Sequence, residues 1–144
     1  MTSRRVAEFA GVSAESGRGI RAGVGPYEFF TDSGVHVYLH DADFLGMTLL
    51  PDATGRFYFA YDSKTAPLYG AEATPVVKMA FSSVELSVWE TDEEALSDTK
   101  HCGQVSGFSW DAGDGFDLLT YALHMSFSAA RLEVRLLTAM PGDL

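Results

Sequence analysis

Apolar and polar residues alternate along most of the chain after residue 26, with the period of two that is typical of half-buried β-strands. The segment 35–40 reads Val-His-Val-Tyr-Leu-His, and the segment 131–136 reads Arg-Leu-Glu-Val-Arg-Leu. Turn-forming residues separate such segments, above all Asp-Ala-Gly-Asp-Gly at 111–115. The pattern predicts about seven to nine strands, at 27–30, 35–40, 44–50, 57–61, 76–89, 105–110, 119–127 and 132–136.

Three details of this pattern predict how the strands connect. A turn at 51–55 joins the strands 44–50 and 57–61, which predicts a hairpin. Within 76–89 the apolar residues change parity at Ser82-Ser83, so a β-bulge or a sharp bend there would return both halves to one core. Residues 119–127 alternate without interruption, which predicts one long strand.

The fold class that follows is mainly β, an antiparallel sandwich or a partly closed barrel, with at most one or two short helices. Residues 27–144 form its single antiparallel β domain. The segment 90–100 is the best candidate for a helix, because Thr91 and Glu94 have the spacing of a capping box.

The N-terminal segment 1–26 differs from the rest of the chain. Five of the fourteen glycines fall within it, and Pro26 closes it. We expect at most one or two helical turns around Arg4–Ala10, followed by a flexible segment. Deletion of residues 1–25 is therefore expected to leave a folded domain.

Composition narrows the classes of function. With 144 residues and 47% hydrophobic residues, the chain is long enough for one domain with a sizeable core. We read no signal peptide and no membrane span, and a single cysteine cannot form an intramolecular disulfide, so we expect a cytoplasmic protein. We also expect no cofactor and no metal site built on thiolates.

The charge of the chain is −10 and is unevenly distributed. Four arginines and two glutamates give residues 1–25 a charge of +2, which leaves −12 for the remainder. An acidic body repels nucleic acid and anionic membranes and attracts a basic partner. Surface charge that serves solubility alone is the simpler alternative.

The segment 85–98 is the strongest candidate for a contact surface. It holds six of the twenty carboxylates and no Lys or Arg, and an aromatic residue lies inside it. The predicted partner-binding residues are Glu85, Trp89, Glu90, Asp92, Glu93, Glu94 and Asp98. In one interpretation Trp89 anchors a basic protein; in the other the segment is a solvated loop and Trp89 turns into the core.

A second candidate is the polar group His40, Asp41 and Asp43, directly before a strand. Adjacent residues of a strand point to opposite faces, whereas Asp41 and Asp43 share a face on which two carboxylates can bind a cation. The simpler interpretation is that Asp41 turns the chain through hydrogen bonds to the backbone. His36 shares a strand face with Tyr38 and His40, which is typical of a solvent-facing surface. We predict no catalytic residue and no metal site.

These residues also carry a family resemblance. His40-Asp41-Ala42 followed by an apolar strand, the segment 77–88 with Phe81-Ser82-Ser83-Val84 at its centre, and the closing segment 116–134 resemble the immunity-protein-50-like group of bacterial polymorphic toxin systems. The resemblance covers Val35 to Leu137. It implies a non-catalytic protein that binds and blocks a cognate toxin domain, with acidic residues in place of the anionic substrate if the toxin is a nuclease.

Two other classes of function stay open on the sequence. The chain has ten Phe, six Tyr and two Trp, which are enough to line the pocket of a small β-barrel that binds or transforms an apolar molecule. A deep cavity lined by Phe57, Phe59, Tyr61 and Tyr121 would favour this class, and a solid core would favour the binding protein. A structural component of a larger assembly is the third class.

Overall fold

The structure, a computed structural model, describes residues 5–40, 42–61, 76–98 and 101–137. Within these residues the strands and the helix are β1 (Glu8–Ala10), β2 (Glu28–Phe30), β3 (His36–Tyr38), β4 (Asp43–Leu49), β5 (Gly55–Ala60), β6 (Val76–Ser82), β7 (Glu85–Thr91), α1 (Glu93–Leu96), β8 (Val105–Trp110), β9 (Gly115–Thr120), β10 (Leu123–Ser128) and β11 (Arg131–Leu137). The prediction of a mainly β protein with at most one or two short helices is confirmed.

The strands form three sheets. One has five strands in the order β1-β11-β6-β5-β4, one has four in the order β7-β10-β9-β8, and β2 pairs with β3. Among the described strands every pair is antiparallel except β1 with β11. The arrangement is sandwich-like, and these strands close no barrel. The predicted hairpin is confirmed as the pair β4–β5.

Aromatic rings fill the space between the two larger sheets. The ring of Phe57 on β5 lies 5.3 Å from that of Phe127 on β10, and Phe81 on β6 lies 5.2 Å from Phe116 on β9. All four side chains are buried. Burying a side chain of this size stabilises the fold by about 1.5–3 kcal/mol relative to leaving it exposed, so these contacts hold the sheets face to face.

The predicted bend at Ser82-Ser83 is confirmed, and it moves the chain from one sheet to the other. Ser82 ends β6 in the five-stranded sheet, Ser83 has φ of 55°, and β7 begins at Glu85 in the four-stranded sheet. The prediction that both halves of the segment 76–89 return to one core is only partly right. Val84 packs against the core, but Leu86 is 45% exposed because β7 is an edge strand.

The predicted single strand over 119–127 is wrong, because a tight turn divides it. β9 ends at Thr120, whose hydroxyl accepts a hydrogen bond from the amide of Leu123 at 3.1 Å, where β10 begins. The inward-facing positions change from even to odd across this turn, from Leu118 to Met125. The alternation of apolar residues through the turn concealed it.

The predicted helical turns around Arg4–Ala10 are also wrong. Residues 8–10 form β1, which pairs in parallel with β11. The Ala7 amide donates to the carbonyl of Gly113 at 2.9 Å, and the ring of Phe9 meets that of Trp110 edge-on at 4.9 Å. Pairing with a distant strand outweighs the local preference for a helix. Part of the segment 1–26 thus contributes to the packed domain, while the mobility of the segment as a whole stays a prediction.

Candidate functional site

The seven predicted partner-binding residues lie on one edge of the four-stranded sheet. Glu85, Trp89 and Glu90 belong to β7. Asp92 caps α1, Glu93 and Glu94 form its first turn, and Asp98 follows the helix. We call this surface the acidic edge; it comprises Glu85, Trp89, Glu90, Asp92, Glu93, Glu94 and Asp98. In the described part of the chain β7 pairs with β10 alone, so one side of the strand is open.

Trp89 is 51% exposed, so the interpretation that turned it into the core is wrong. It lies opposite buried Met125 in the strand register, and its side chain therefore starts toward the interior. Since β7 is the last strand of the sheet, that direction leads to the rim of the sandwich rather than to its centre. Leu86 and Leu96 are also exposed, so further apolar surface adjoins the acidic edge.

Helix α1 has a different cap from the predicted one. The side chain of Asp92, not that of Thr91, accepts a hydrogen bond from the amide of Ala95 at 3.1 Å. The predicted pair of Thr91 and Glu94 is therefore wrong by one residue. Glu93 and Glu94 lie in the first turn, where the helix dipole favours negative charge. The capping holds both carboxylates at the surface beside β7.

Two histidines lie beside carboxylates of the acidic edge. Asp98 lies 3.0 Å from His101, and Glu90 lies 3.9 Å from His124. For the three glutamates at 85, 93 and 94, the described residues include no Lys or Arg that forms an ion pair with them. Three of the six carboxylates of this edge are therefore available to a partner.

A polar cluster that the sequence analysis missed adjoins this edge on the outer face of the sheet. His124 Nε2 lies 2.8 Å from Asp117 Oδ1, and the Ser126 hydroxyl donates to the same oxygen at 2.5 Å. In a serine–histidine–carboxylate relay the serine and the carboxylate bind opposite nitrogens of the ring. Here Ser126 and Asp117 both lie at Nε2, and the Glu90 carboxylate is 3.9 Å from Nδ1, beyond hydrogen-bond distance, so this geometry does not activate Ser126 as a nucleophile. Asp117 meets His124 and Ser126 because β9 pairs with β10. The sequence analysis predicted one strand over 119–127 and therefore missed this pairing.

The structure describes two of the three residues of the family motif, His40 and Asp43. His40 Nδ1 lies 2.8 Å from the hydroxyl of Tyr27, and Asp43 is exposed at the start of β4. Asp41 lies outside the described residues. Among the residues that are described, no group of three or more His, Cys, Asp or Glu side chains has the arrangement of a metal site.

The shared face of His36, Tyr38 and His40 is present as a row of rings. Tyr38 stacks at 5.9 Å on His36 and at 5.8 Å on His40. His36 also lies 3.0 Å from a carboxylate oxygen of Glu28 on the paired strand β2.

The four residues proposed to line a ligand pocket do not meet in one cavity. Phe57, Phe59 and Tyr61 are at most 2% exposed and belong to the packed core, whereas Tyr121 is 56% exposed on the β9–β10 turn. Three of the four residues therefore pack in the core, away from Tyr121.

Neither the family models, the curated proteins nor the solved structures compared with this chain give a significant match. Helix α1 has four residues, far fewer than a membrane span needs, and the described part of the chain holds no other helix that would qualify.

Proposed function

We propose that this chain is a non-catalytic, immunity-type protein of the bacterial cytoplasm that binds a basic toxin domain through the acidic edge. The observation that carries the proposal is the exposure of Trp89, an aromatic side chain on an open edge strand within a segment that holds six carboxylates. Aromatic residues with an apolar body are frequent anchors of protein interfaces, and a ring of charge around them selects the partner.

The two kinds of residue have separate roles in this proposal. The glutamates of α1 and β7 raise the rate of encounter with a positively charged surface, and salt weakens their effect. Trp89 and its apolar neighbour Leu86 become buried in the complex and slow its dissociation. If the toxin is a nuclease, the carboxylates occupy the site of its anionic substrate and inhibit it by occlusion.

Charge reversal tests the electrostatic part. The double variant E93K/E94K is expected to slow association with the co-purified partner about tenfold at low salt, and to reduce the salt dependence of association. E8K/D32K is the matched control, because it changes the net charge equally at two exposed positions outside the four-stranded sheet. Equal association rates for E93K/E94K and the unaltered chain at low salt would exclude the acidic edge as the contact surface.

The substitution Trp89→Ala tests the anchor. It is expected to raise the dissociation rate about tenfold or more, as at other interface hot spots, with little change in association. Thermal melts recorded alongside separate this effect from a loss of folding. A variant that unfolds at the same temperature and dissociates at the original rate would show that Trp89 is not an anchor.

A further inference from the structure

Two depressions cross the outer face of the four-stranded sheet and join. One has a volume of about 520 Å³ and the other about 440 Å³, and Gly23, Ser109 and Asp117 line both. Together they form a groove that begins at β7, on the acidic edge, and continues over β10 and β9 to β8.

The strand register explains why a groove lies here. Ser109, Asp117 and Ser126 are direct neighbours across β8, β9 and β10, and the next row holds Gly115 and Ser128. These outward-facing residues are small, so few side-chain atoms cover the backbone along both rows. Four strands at ~4.8 Å spacing make the groove ~14 Å long, which is the length of about four residues of extended chain.

Asp117 is held with one oxygen free at the centre of the groove. Both of its hydrogen bonds, from Ser126 and at His124 Nε2, use Oδ1. No hydrogen bond within the described part of the chain involves Oδ2, and the side chain is 38% exposed. Two fixed contacts orient the carboxylate in advance, which lowers the cost of binding a cation to the remaining oxygen.

The charged side chains that line the groove are acidic: Asp117 at the centre, Glu85 and Asp111 at one end and Glu28 at the other. Glu28 lies 3.8 Å from Arg21, so the negative charge is least compensated at the centre and at the Glu85 end. Neither Lys nor Arg occurs among the described residues that line it. The depression beside β11, outside this sheet, contains Arg135 as well as acidic residues. Complementary charge therefore specifies a cationic occupant for the groove.

We infer that the groove receives an extended basic segment of a protein partner, with one Arg or Lys side chain bound to Asp117 Oδ2. This inference rests on the proposed function, since the groove continues the acidic edge at Glu85 and Leu86. It adds a second contact region in which the serine hydroxyls form hydrogen bonds with the backbone of the bound segment.

Fluorescence anisotropy with a labelled hexa-arginine peptide tests the inference on the full chain at low salt. Asp117→Asn keeps the shape of the side chain and an acceptor for Ser126, and it is expected to weaken binding about threefold to tenfold. Asp32→Asn, which removes the same charge outside the sheet, is expected to change binding by less than about twofold. Ser109→Tyr is a second variant, expected to weaken binding by filling the groove without changing its charge.

Amide chemical shifts in NMR spectra locate the peptide. Binding in the groove is expected to shift the amides of Ser109, Asp117 and Ser126. Equal binding by the Asp117→Asn and Asp32→Asn variants, with shifts confined to β7 and α1, would overturn the groove and leave the acidic edge intact. A complete absence of peptide binding would also overturn the groove, while the kinetics with E93K/E94K would still decide the proposed function separately.

Discussion

The ring of Phe57 lies 5.3 Å from the ring of Phe127, with 50° between their planes, and this contact joins the two larger sheets. Phe127 also contacts the rings of Phe81 and Phe116, at 4.9 and 5.4 Å. One side chain on β10 thus packs against rings from β5, β6 and β9.

Replacing Phe127 should weaken the packing between the two sheets and lower the free energy of unfolding. Phe127→Ala leaves a cavity among three rings and is expected to lower the free energy of unfolding by about 3–5 kcal/mol, and Phe127→Leu by roughly 1–2 kcal/mol. Urea denaturation followed by circular dichroism measures both. Equal stability of the Ala and Leu variants would contradict the central place of this ring in the core.

Gly11 and Gly17 offer a matched pair of substitutions by alanine. Both have positive φ, 77° and 81°, so alanine is strained by about 1–2 kcal/mol at either position. A Cβ at Gly11 would also collide with the carbonyl oxygen of Val134, whereas nothing lies within 4 Å at Gly17. Gly11→Ala is expected to cost about 1–3 kcal/mol more than Gly17→Ala. Equal melting temperatures would show that β1 does not pack on β11 in solution.

Removal of residues 1–25 is expected to leave a cooperative but less stable domain. The deletion takes away β1, the buried Ala7 and the ring contact of Phe9 with Trp110, yet four strands of the sheet stay paired. Removal of residues 1–5 is the control and should change the melting temperature little. A truncated chain as stable as the full chain would mean that these contacts contribute nothing.

Asp52 should make stability depend on pH in the acid range. Hydrogen bonds from the Thr54 side chain and then from its backbone hold the pKa of this exposed carboxyl below its usual value of 3.8. Because the folded pKa is the lower one, the stabilisation is present above pH 3.8 and is lost as the pH falls through the folded pKa. The stability difference between the unaltered chain and Asp52→Asn should therefore be constant near neutral pH and shrink below about pH 4. Thermal melts from pH 7 to pH 3 measure it, and a difference that grows on acidification would contradict this origin.

Substitution of the two tryptophans should change the free energy of unfolding by different amounts. Trp89→Ala is expected to change the free energy of unfolding by less than about 1 kcal/mol, because half of its surface is already in water. Trp110→Ala is expected to cost about 3 kcal/mol, because its indole N–H donates to the carbonyl of Gly113 at 2.7 Å and its ring meets Phe9. Acrylamide should also quench Trp89 more strongly in the folded protein. Stronger quenching of Trp110 would contradict the exposure of Trp89 at the edge of the sheet.

Local pattern was sufficient to predict the fold class and most strands. Alternating polarity is set by whether a side chain meets water or the interior, and turn residues act through their own backbone preferences. For that reason the bend at Ser82-Ser83 and the hairpin β4–β5 were predicted correctly. The turn after Thr120 was not, because an exposed Tyr121 continues the apolar alternation through it.

The composition and spacing of residues 85–98 identified the acidic edge, since charge and the presence of Trp89 are properties of the sequence itself. Whether Trp89 faces water depended on the position of β7 at the edge of a sheet, which is decided by pairing with β10. The groove depended still more on tertiary structure. Asp117 meets Ser109 and Ser126 only through the register of three strands, and register is a long-range property that no local segment specifies.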